Sequence, residues 1–584
     1  MQQIIWMRVR MKLSKNIRNY PQRVCFAVLA IMLGLILTSC SGLPTSGDVQ
    51  IAERAVQSEG KVVLDPKGPL KGATAEQVIA GFLRASSVGI SDDFKAARQF
   101  LTQEMSANWN PLTTVRIYPD SQTFSSSQTP SGAFRVSVPA LGTIDADGLY
   151  TSASQESQIA AEFSLIRNPD GEWRIAVLDD GLIMSRSLFD SLYVEAPLYF
   201  PSSSGRSMIA DVRWYPRQGL AGSIARGLAK GPAKWLAAAV RTVLPPDVVV
   251  AGTQVRATDS VAVVDFSSGA TALPQETIAT LQAQYRLSFS AANVAQDAVL
   301  TASGVQISGE TSQEFTTYPL QESPVIALRN DAVVRVSRKT QEFTELISGT
   351  FTKGLGLADL ALSYGEDLHY GAALGNDSKV LYQLNFGDGS LHDVLRGNNL
   401  IPPSIDSAGW IWSGERTSAG ELAVIDSGSG RVEKVHVPEL SGANIDFVKI
   451  SREGSRAVIV YNRDGKTVIC AAALVRSSSG QPQQLGEFMP FAQRLADVND
   501  LVWTGDAELM VLGRYALNSS ESLVEVQIGG PDESLNVMDG AVEITGARGE
   551  NSVLLADKMG VLYEYASGAW RKFAEGVSSP AMAG

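Results

Sequence analysis

From about residue 320 onward the sequence is a succession of short apolar strands and turns, and the succession recurs. Leu360-Ala-Leu-Ser363 precedes a hydrophobic strand and Asn376-Asp377-Ser378. Pro403-Ser-Ile-Asp406 precedes Trp410-Ile-Trp412 and Glu421-Leu-Ala-Val-Ile-Asp426. Val448-Lys-Ile-Ser451 precedes Arg456-Ala-Val-Ile-Val-Tyr461 and Asp464-Gly465, Leu501-Val-Trp503 precedes Glu508-Leu-Met-Val-Leu512, and Val542-Glu-Ile-Thr545 precedes Val561-Leu-Tyr-Glu-Tyr565. The marks are spaced by roughly 42 to 52 residues, room for three or four strands per unit. One such unit cannot bury its apolar face alone, and repetition at this period is the mark of β-propeller blades. Residues 318–584 are therefore expected to form an all-β propeller, with strands from 324–345 closing the ring against the C-terminal ones. A pair of β-sandwiches is the competing architecture, which the recurrence disfavours.

Upstream the pattern changes. Thr74-Ala-Glu-Gln77 followed by Val78, Ile79, Phe82 and Leu83 reads as a capped helix with one apolar face. A second helix is expected from Asp92 through Phe94, Ala97, Phe100 and Leu101. Extended segments follow at 115–118, 133–138, 159–166 and 173–177, the last two joined by Asn168-Pro-Asp-Gly171, a hairpin signal. Two helices and a curved antiparallel sheet make an α+β domain over 73–201, in an order that resembles the nuclear-transport-factor-2-like fold. Residues 202–317 read as a second α+β domain. It has a strand ending at Pro216, a helix around 224–228, another from Lys234 to Val243 behind Gly231-Pro232, strands at 248–250 and 261–266, a helix around 275–287 and a strand at 298–300. Trp214-Tyr-Pro216, Leu228-Ala-Lys-Gly-Pro232, Trp235-Leu236 and Val261-Ala-Val-Val-Asp265 in this order resemble the GerMN domain of spore-germination proteins.

The N-terminus carries a different kind of information. Arg8, Arg10, Lys12, Lys15, Arg18 and Arg23 precede an apolar run from Val24 to Leu37, and no acidic residue occurs before Asp48. As a helix that run would be about 21 Å long, short of a hydrocarbon core of about 30 Å, so residues 1–39 read as a secretory signal peptide. Leu37-Thr-Ser-Cys40 looks like a bacterial lipobox, in which the Cys40 thiol takes a diacylglyceryl group, the chain is cut before it and the new amino group is acylated, commonly with palmitate. Residues 40–72, rich in Gly, Pro, Ser and charge, read as a tether; a flexible chain of that length reaches roughly 30 Å. Residues 1–39 hold six of the 49 basic residues and none of the 61 acidic ones, so the chain from Cys40 on is strongly acidic. That balance argues against nucleic acid as a partner.

Few residues suggest chemistry. Of three cysteines, Cys25 lies in the signal and Cys40 in the lipobox, which leaves Cys470 in the apolar run Thr467-Val-Ile-Cys-Ala, where a buried inert thiol is expected. The histidines, His369, His392 and His436, all fall in different propeller units, and none precedes residue 369. No nucleophile elbow, phosphate-binding loop or cysteine–histidine cluster is present, so no catalytic residue, metal or cofactor is assigned. Asp145-Ala-Asp147-Gly148 begins like a calcium loop but reads better as a turn. Asp92-Asp93 and Asp179-Asp180 read as solvated or capping pairs rather than glycosidase carboxylates. Trp410 and Trp412 share a strand face, where packing is favoured over a sugar- or peptide-binding platform.

Taken in order, the lipobox at Cys40, Leu43-Pro-Thr-Ser-Gly47, the α+β domain, Trp214-Tyr-Pro216 with Gly231-Pro232, and the propeller resemble the actinobacterial lipoprotein LpqB family over essentially the whole chain. The resemblance implies a lipid-anchored protein on the extracytoplasmic face of the cell membrane, associated with the MtrA–MtrB two-component system. It would be a non-catalytic modulator of the sensor histidine kinase's extracytoplasmic domain, affecting cell-wall homeostasis and division. The alternatives are a structural protein that grips cell-wall glycan and an anchored glycan-active hydrolase or lyase.

The lipobox reading is tested by Cys40→Ala. A clickable palmitate analogue should label the parent and not the variant, which should accumulate with its signal uncut; normal labelling of the variant would remove the anchor assignment.

Overall fold

A computed structural model describes residues 67–583, apart from 311–314, 317, 319–323, 366–367, 376, 418, 547–552 and 567. The signal peptide, Cys40 and nearly all of the 40–72 segment lie outside the described residues.

The first module opens with the helix Ala75–Ser87, capped as its sequence dictates: the Thr74 hydroxyl accepts from the Gln77 amide, and the Gln77 side chain accepts from the Thr74 amide at 2.9 Å. Val78, Ile79, Phe82 and Leu83 point into the core. The expected second helix is broken. A 3-10 turn, Gly89–Asp92, is followed by Asp93 and Phe94 in left-handed backbone (φ 57° and 59°) and then by a single turn, Lys95–Arg98. This kink swings the Phe94 ring edge-on to Trp109 at 5.8 Å inside the core, a burial that a continuous helix would not give it. Two four-stranded sheets complete the module. One is Ser125–Gln128, Phe134–Pro139, Gln158–Arg167 and Trp173–Val177 in that order, with Asn168 closing the expected hairpin by accepting from the Asp170 and Glu172 amides. The other is not wholly antiparallel, because Thr114–Tyr118 runs parallel to Leu182–Ser185.

The second module is built on a long hairpin, Tyr193–Pro201 with Met208–Pro216, whose nine residues pair without a register shift. Helices Leu220–Lys230 and Gln275–Ala291 flank a sheet of Val250–Arg256, Val261–Phe266, Asp297–Ala302 and Val305–Ile307, with a parallel pair at its centre. The helix expected over 234–243 does not form. Its backbone is held from outside: the Ala233 amide donates to Asp211, the Ser203 amide to the Ala239 carbonyl and the Arg241 amide to the Pro201 carbonyl. Turn hydrogen bonds answer the Leu236, Ala237 and Ala239 amides, while Trp235 and Leu236 are buried.

Among the described residues the remaining strands form six blades, each of four strands except blade 3, where the short strand Met489–Pro490 adds a fifth. In chain order the innermost strands are Leu357–Leu362, Ser404–Ile405, Asn444–Ile450, Asp497–Trp503 and Ala541–Thr545, defining blades 1 to 5. Blade 6 joins the two ends of the propeller: Ser578–Ala581 is its innermost strand and pairs antiparallel with Val325–Arg329, followed by Ala332–Val336 and Phe343–Ile347. The inner strands touch in cyclic order, 1 to 6 and back to 1, so the closure expected from 324–345 is present.

The inner strands surround a narrow axial cavity of about 250 Å³. Its carboxylates stitch neighbouring blades. Asp500 of blade 4 accepts from the Ile544 amide of blade 5 at 2.9 Å, and Glu543 of blade 5 accepts from the Ser579 amide of blade 6 at 2.8 Å. The Ser579 hydroxyl in turn accepts from the Asp359 amide of blade 1 at 3.2 Å. Burial raises the pKa of Asp359 and Asp500, with Lys449 as a counter-charge to both. Glu543 is pushed up to about 7 by burial and by the charges of Asp500 and Asp359.

Two predictions follow from the ring. Deleting residues 578–583 removes the inner strand of blade 6 and should cost on the order of 4 kcal/mol, measured by urea denaturation; an unchanged midpoint would show that the ring does not depend on this strand. The Glu543 pKa lies above its ordinary value in the folded state, so the folded protein holds this proton more tightly than the unfolded chain. That contribution to stability is complete below about pH 4.5 and lost as pH rises through about 7. Glu543→Gln should therefore raise the urea midpoint relative to the parent more at pH 8 than at pH 5, whereas an equal change at both would show that Glu543 does not titrate in this range.

Candidate functional site

All three modules meet along the long hairpin, and a cleft of about 1040 Å³ opens there. The first module contributes Phe94, Ile144 and the turn 145–149, the second contributes Trp214-Tyr215-Pro216 and residues 226–235, and the propeller contributes Glu487–Pro490.

Local chemistry fixes the turn. Asp145 Oδ1 accepts from the Asp147 and Leu149 amides, both at 2.9 Å, and the Gly148 amide donates to the Asp145 carbonyl. Gly148 has φ 82°, and a Cβ there would sit 2.7 Å from the Tyr215 ring, so the close approach requires glycine. The Asp147 carbonyl accepts from Arg213 Nη1 at 3.0 Å and from the Tyr215 hydroxyl at 3.1 Å, and its carboxylate pairs with Lys230. Burial pushes the Tyr215 hydroxyl up to about 12, which keeps it a donor at neutral pH.

Behind the turn lies a buried ion pair. Asp211 and Arg213 alternate with apolar residues on one strand and are only 1% and 5% exposed, with Arg213 Nη2 2.7 Å from Asp211 Oδ2. The same carboxylate oxygen accepts from the Ala233 amide at 2.7 Å, just beyond the Gly231 cap of the preceding helix. Trp214 faces the other way: its indole donates to the Gly529 carbonyl of blade 4 at 3.0 Å, and its ring lies 5.1 Å from Phe189 of the first module. The Trp214-Tyr-Pro216 marker of the GerMN resemblance is thus the three-way junction itself. A further contact from the first module is made by Ser152, whose carbonyl accepts from the Gln493 side chain at 3.0 Å. The apolar core then runs unbroken from Leu198, Phe200 and Phe289 into Phe491, Leu501 and Val524 of the propeller.

The other residues singled out by sequence are scattered. Cys470 is fully buried in blade 3, and burial raises its thiol pKa well above the ordinary value. His369, His392 and His436 are exposed; contrary to expectation the first two share blade 1, and His392 and His436 lie on the outermost strands of blades 1 and 2, away from the axis. Trp410 and Trp412 are packed inside blade 2, where the Trp412 indole donates to Asp406 at 3.0 Å. Asp406 also accepts from Arg476 and from the Ala408 and Trp410 amides, so it is a structural hub. Asp92 caps the Ala96 amide and Asp180 the Asn110 amide, while Asp145-Ala-Asp147-Gly148 is the turn already described. Among the described residues no group of carboxylates, histidines or cysteines is arranged to hold a metal ion. Sequence reasoning missed the Asp211–Arg213 pair, although two opposite charges in the otherwise apolar strand Met208–Pro216 were the available signal.

Comparison with known proteins divides the chain in the same places. Residues 68–190 match the model described as "Lipoprotein LpqB, N-terminal domain", 197–308 match "Sporulation and spore germination", and 331–583 match "Lipoprotein LpqB beta-propeller domain". Lipoprotein LpqB of Cutibacterium acnes is 25% identical, over 94% of this chain and 97% of that protein. Lipoprotein LpqB of Nocardia farcinica is 27% identical over 92% of each chain. A solved structure of TolB from Acinetobacter baumannii is 13% identical with a TM-score of 0.36, covering 45% of this chain and 66% of that one. With N-terminal, germination-type and propeller modules in that order, and relatives of this kind along nearly its full length, the chain belongs to the LpqB lipoprotein family.

Proposed function

We propose that this protein is an envelope lipoprotein, anchored through acylated Cys40 to the outer face of the cell membrane, that acts by binding rather than turnover. Its partner in this reading is the extracytoplasmic module of a membrane sensor kinase of the MtrB type. The observation that carries the binding role is the state of the ionisable groups around the cleft. Asp145 is committed to its own turn, Asp147 to Lys230, and Asp211 to Arg213 and the Ala233 amide. These contacts hold modules in place and leave the carboxylates no geometry for moving protons on a substrate. A broad cleft on a body whose second module and propeller share one core suits recognition of another folded surface. Anchoring adds to this, since confining two weak partners to one membrane face raises their effective concentration. Modulation further requires that the lipoprotein prefer one state of the kinase, because equal affinity for both shifts nothing.

The wall-glycan alternative loses its most direct support, because the paired tryptophans that would have formed a sugar platform are inside blade 2.

The test is reconstitution of the full-length kinase in proteoliposomes with and without the acylated lipoprotein, reading phosphotransfer to the response regulator. A changed rate that saturates with lipoprotein is expected. Unchanged rates at saturation, together with no crosslink between the two proteins in cells, would reject the signalling role.

A further inference from the structure

A second cavity, of about 530 Å³, lies on the opposite face of the long hairpin, against the turns of blades 3 and 4. Glu195, Pro197 and Tyr199 alternate along one strand, and the register sets Tyr199 opposite Ala210 and Pro197 opposite Val212, so these side chains share one face. The propeller supplies Arg452 from the turn of blade 3 and Asp506 and Glu508 from that of blade 4. The volume is in the range of sites for small molecules.

Two arginines border this cavity and differ in one respect. Each nitrogen of Arg456 is answered: Nε donates to Glu453 at 2.8 Å, Nη1 to the Ala210 carbonyl at 3.3 Å and Nη2 to the Asp506 carbonyl. It acts as a clamp between hairpin and propeller. Arg452 is also buried, at 5% exposure, yet only Nη2 is answered, by Asp506 Oδ1 at 3.0 Å; Nε and Nη1 have no acceptor among the described residues. Leaving donors of a buried guanidinium unanswered is destabilising, and such a group in a native fold calls for an explanation. Across the cavity the character reverses. Glu195 is half-buried, hydrogen-bonded to Gln527 and next to the like-charged Glu508; burial first, and then that charge, raise its pKa. The lining as a whole has four carboxylates to two guanidiniums, and both guanidiniums are paired with carboxylates. A bare anion would face that excess of negative charge, and a bare cation would leave Arg452 unanswered.

We propose that this cavity binds a small zwitterion of amino-acid or dipeptide type, with its ammonium group toward Glu195, its carboxylate toward Arg452 and its apolar body against Pro197, Met208 and Leu287. The site is separate from the cleft and does not depend on the signalling role.

Isothermal titration of the full-length acylated protein in detergent micelles tests it with four probes: alanyl-alanine, N-acetyl-alanyl-alanine, alanyl-alanine amide and acetate. The free dipeptide should bind, and each blocked form and acetate should bind at least about tenfold more weakly, as expected for losing one charge-assisted contact. Glu195→Gln and Arg452→Gln should each weaken the dipeptide similarly. If Arg452→Gln does not fold, as a thermal melt would show, Glu195→Gln and the blocked probes decide the matter. No binding of the dipeptide at millimolar concentration, blocked forms or acetate that bind as tightly as the dipeptide, or a folded variant that binds like the parent would each overturn the proposal.

Discussion

A carboxylate and a guanidinium, Asp211 and Arg213, are buried together in a strand that borders all three modules. Taking two charges out of water is costly unless each is fully answered, and here the answers come from elsewhere in the chain. Asp211 also takes the Ala233 amide, and Arg213 also reaches the Asp147 carbonyl. The pair therefore holds in register the turn of the first module, the loop behind the helix Leu220–Lys230 and the hairpin itself. Replacing one partner alone would strand a charge in the interior, so the pair imposes one arrangement on its surroundings more than it adds net stability.

The hairpin that carries this pair is buried on both sides. Ala196, Leu198 and Phe200 enter the core of the second module, while Pro197, Tyr199, Ala210 and Val212 face the propeller turns. A strand pair with two buried faces transmits position in both directions, because neither face can slip without unpacking the other. The propeller answers with its own rigidity. Its inner strands touch all the way round the axis, and its axial carboxylates bond to the backbone of the next blade. The two cavities on either side of the hairpin are consequently fixed relative to one another.

Much of this architecture was legible in the sequence. The recurring marks, from Leu360-Ala-Leu-Ser363 to Val542-Glu-Ile-Thr545, fall on the innermost strands of blades 1 to 5, beside the axis. The closing strands were legible because unpaired β-strands at the two ends of a ring need one another. The helix expected at 234–243 failed because its apolar spacing was real but its backbone partners are remote, on Asp211, Pro201 and Ser203. The second helix of the first module failed for a related reason: burying Phe94 and Trp109 together outweighed local helix propensity. The cavities were not legible at all, since Arg452, Asp506 and Glu195 come together only through the docking of modules distant in sequence.

Blade 6 takes its three outer strands from the start of the propeller sequence and its inner strand, Ser578–Ala581, from the end. A chain delivered from its N-terminus thus has five blades' worth of sequence to hold before the sixth can be completed. Until those last residues arrive, Val325–Arg329 presents an unpaired edge to whatever is nearby. Folding of this half is timed by the arrival of its last strand, and a chain stalled or clipped a few residues early is left with an open, adhesive seam in place of a ring.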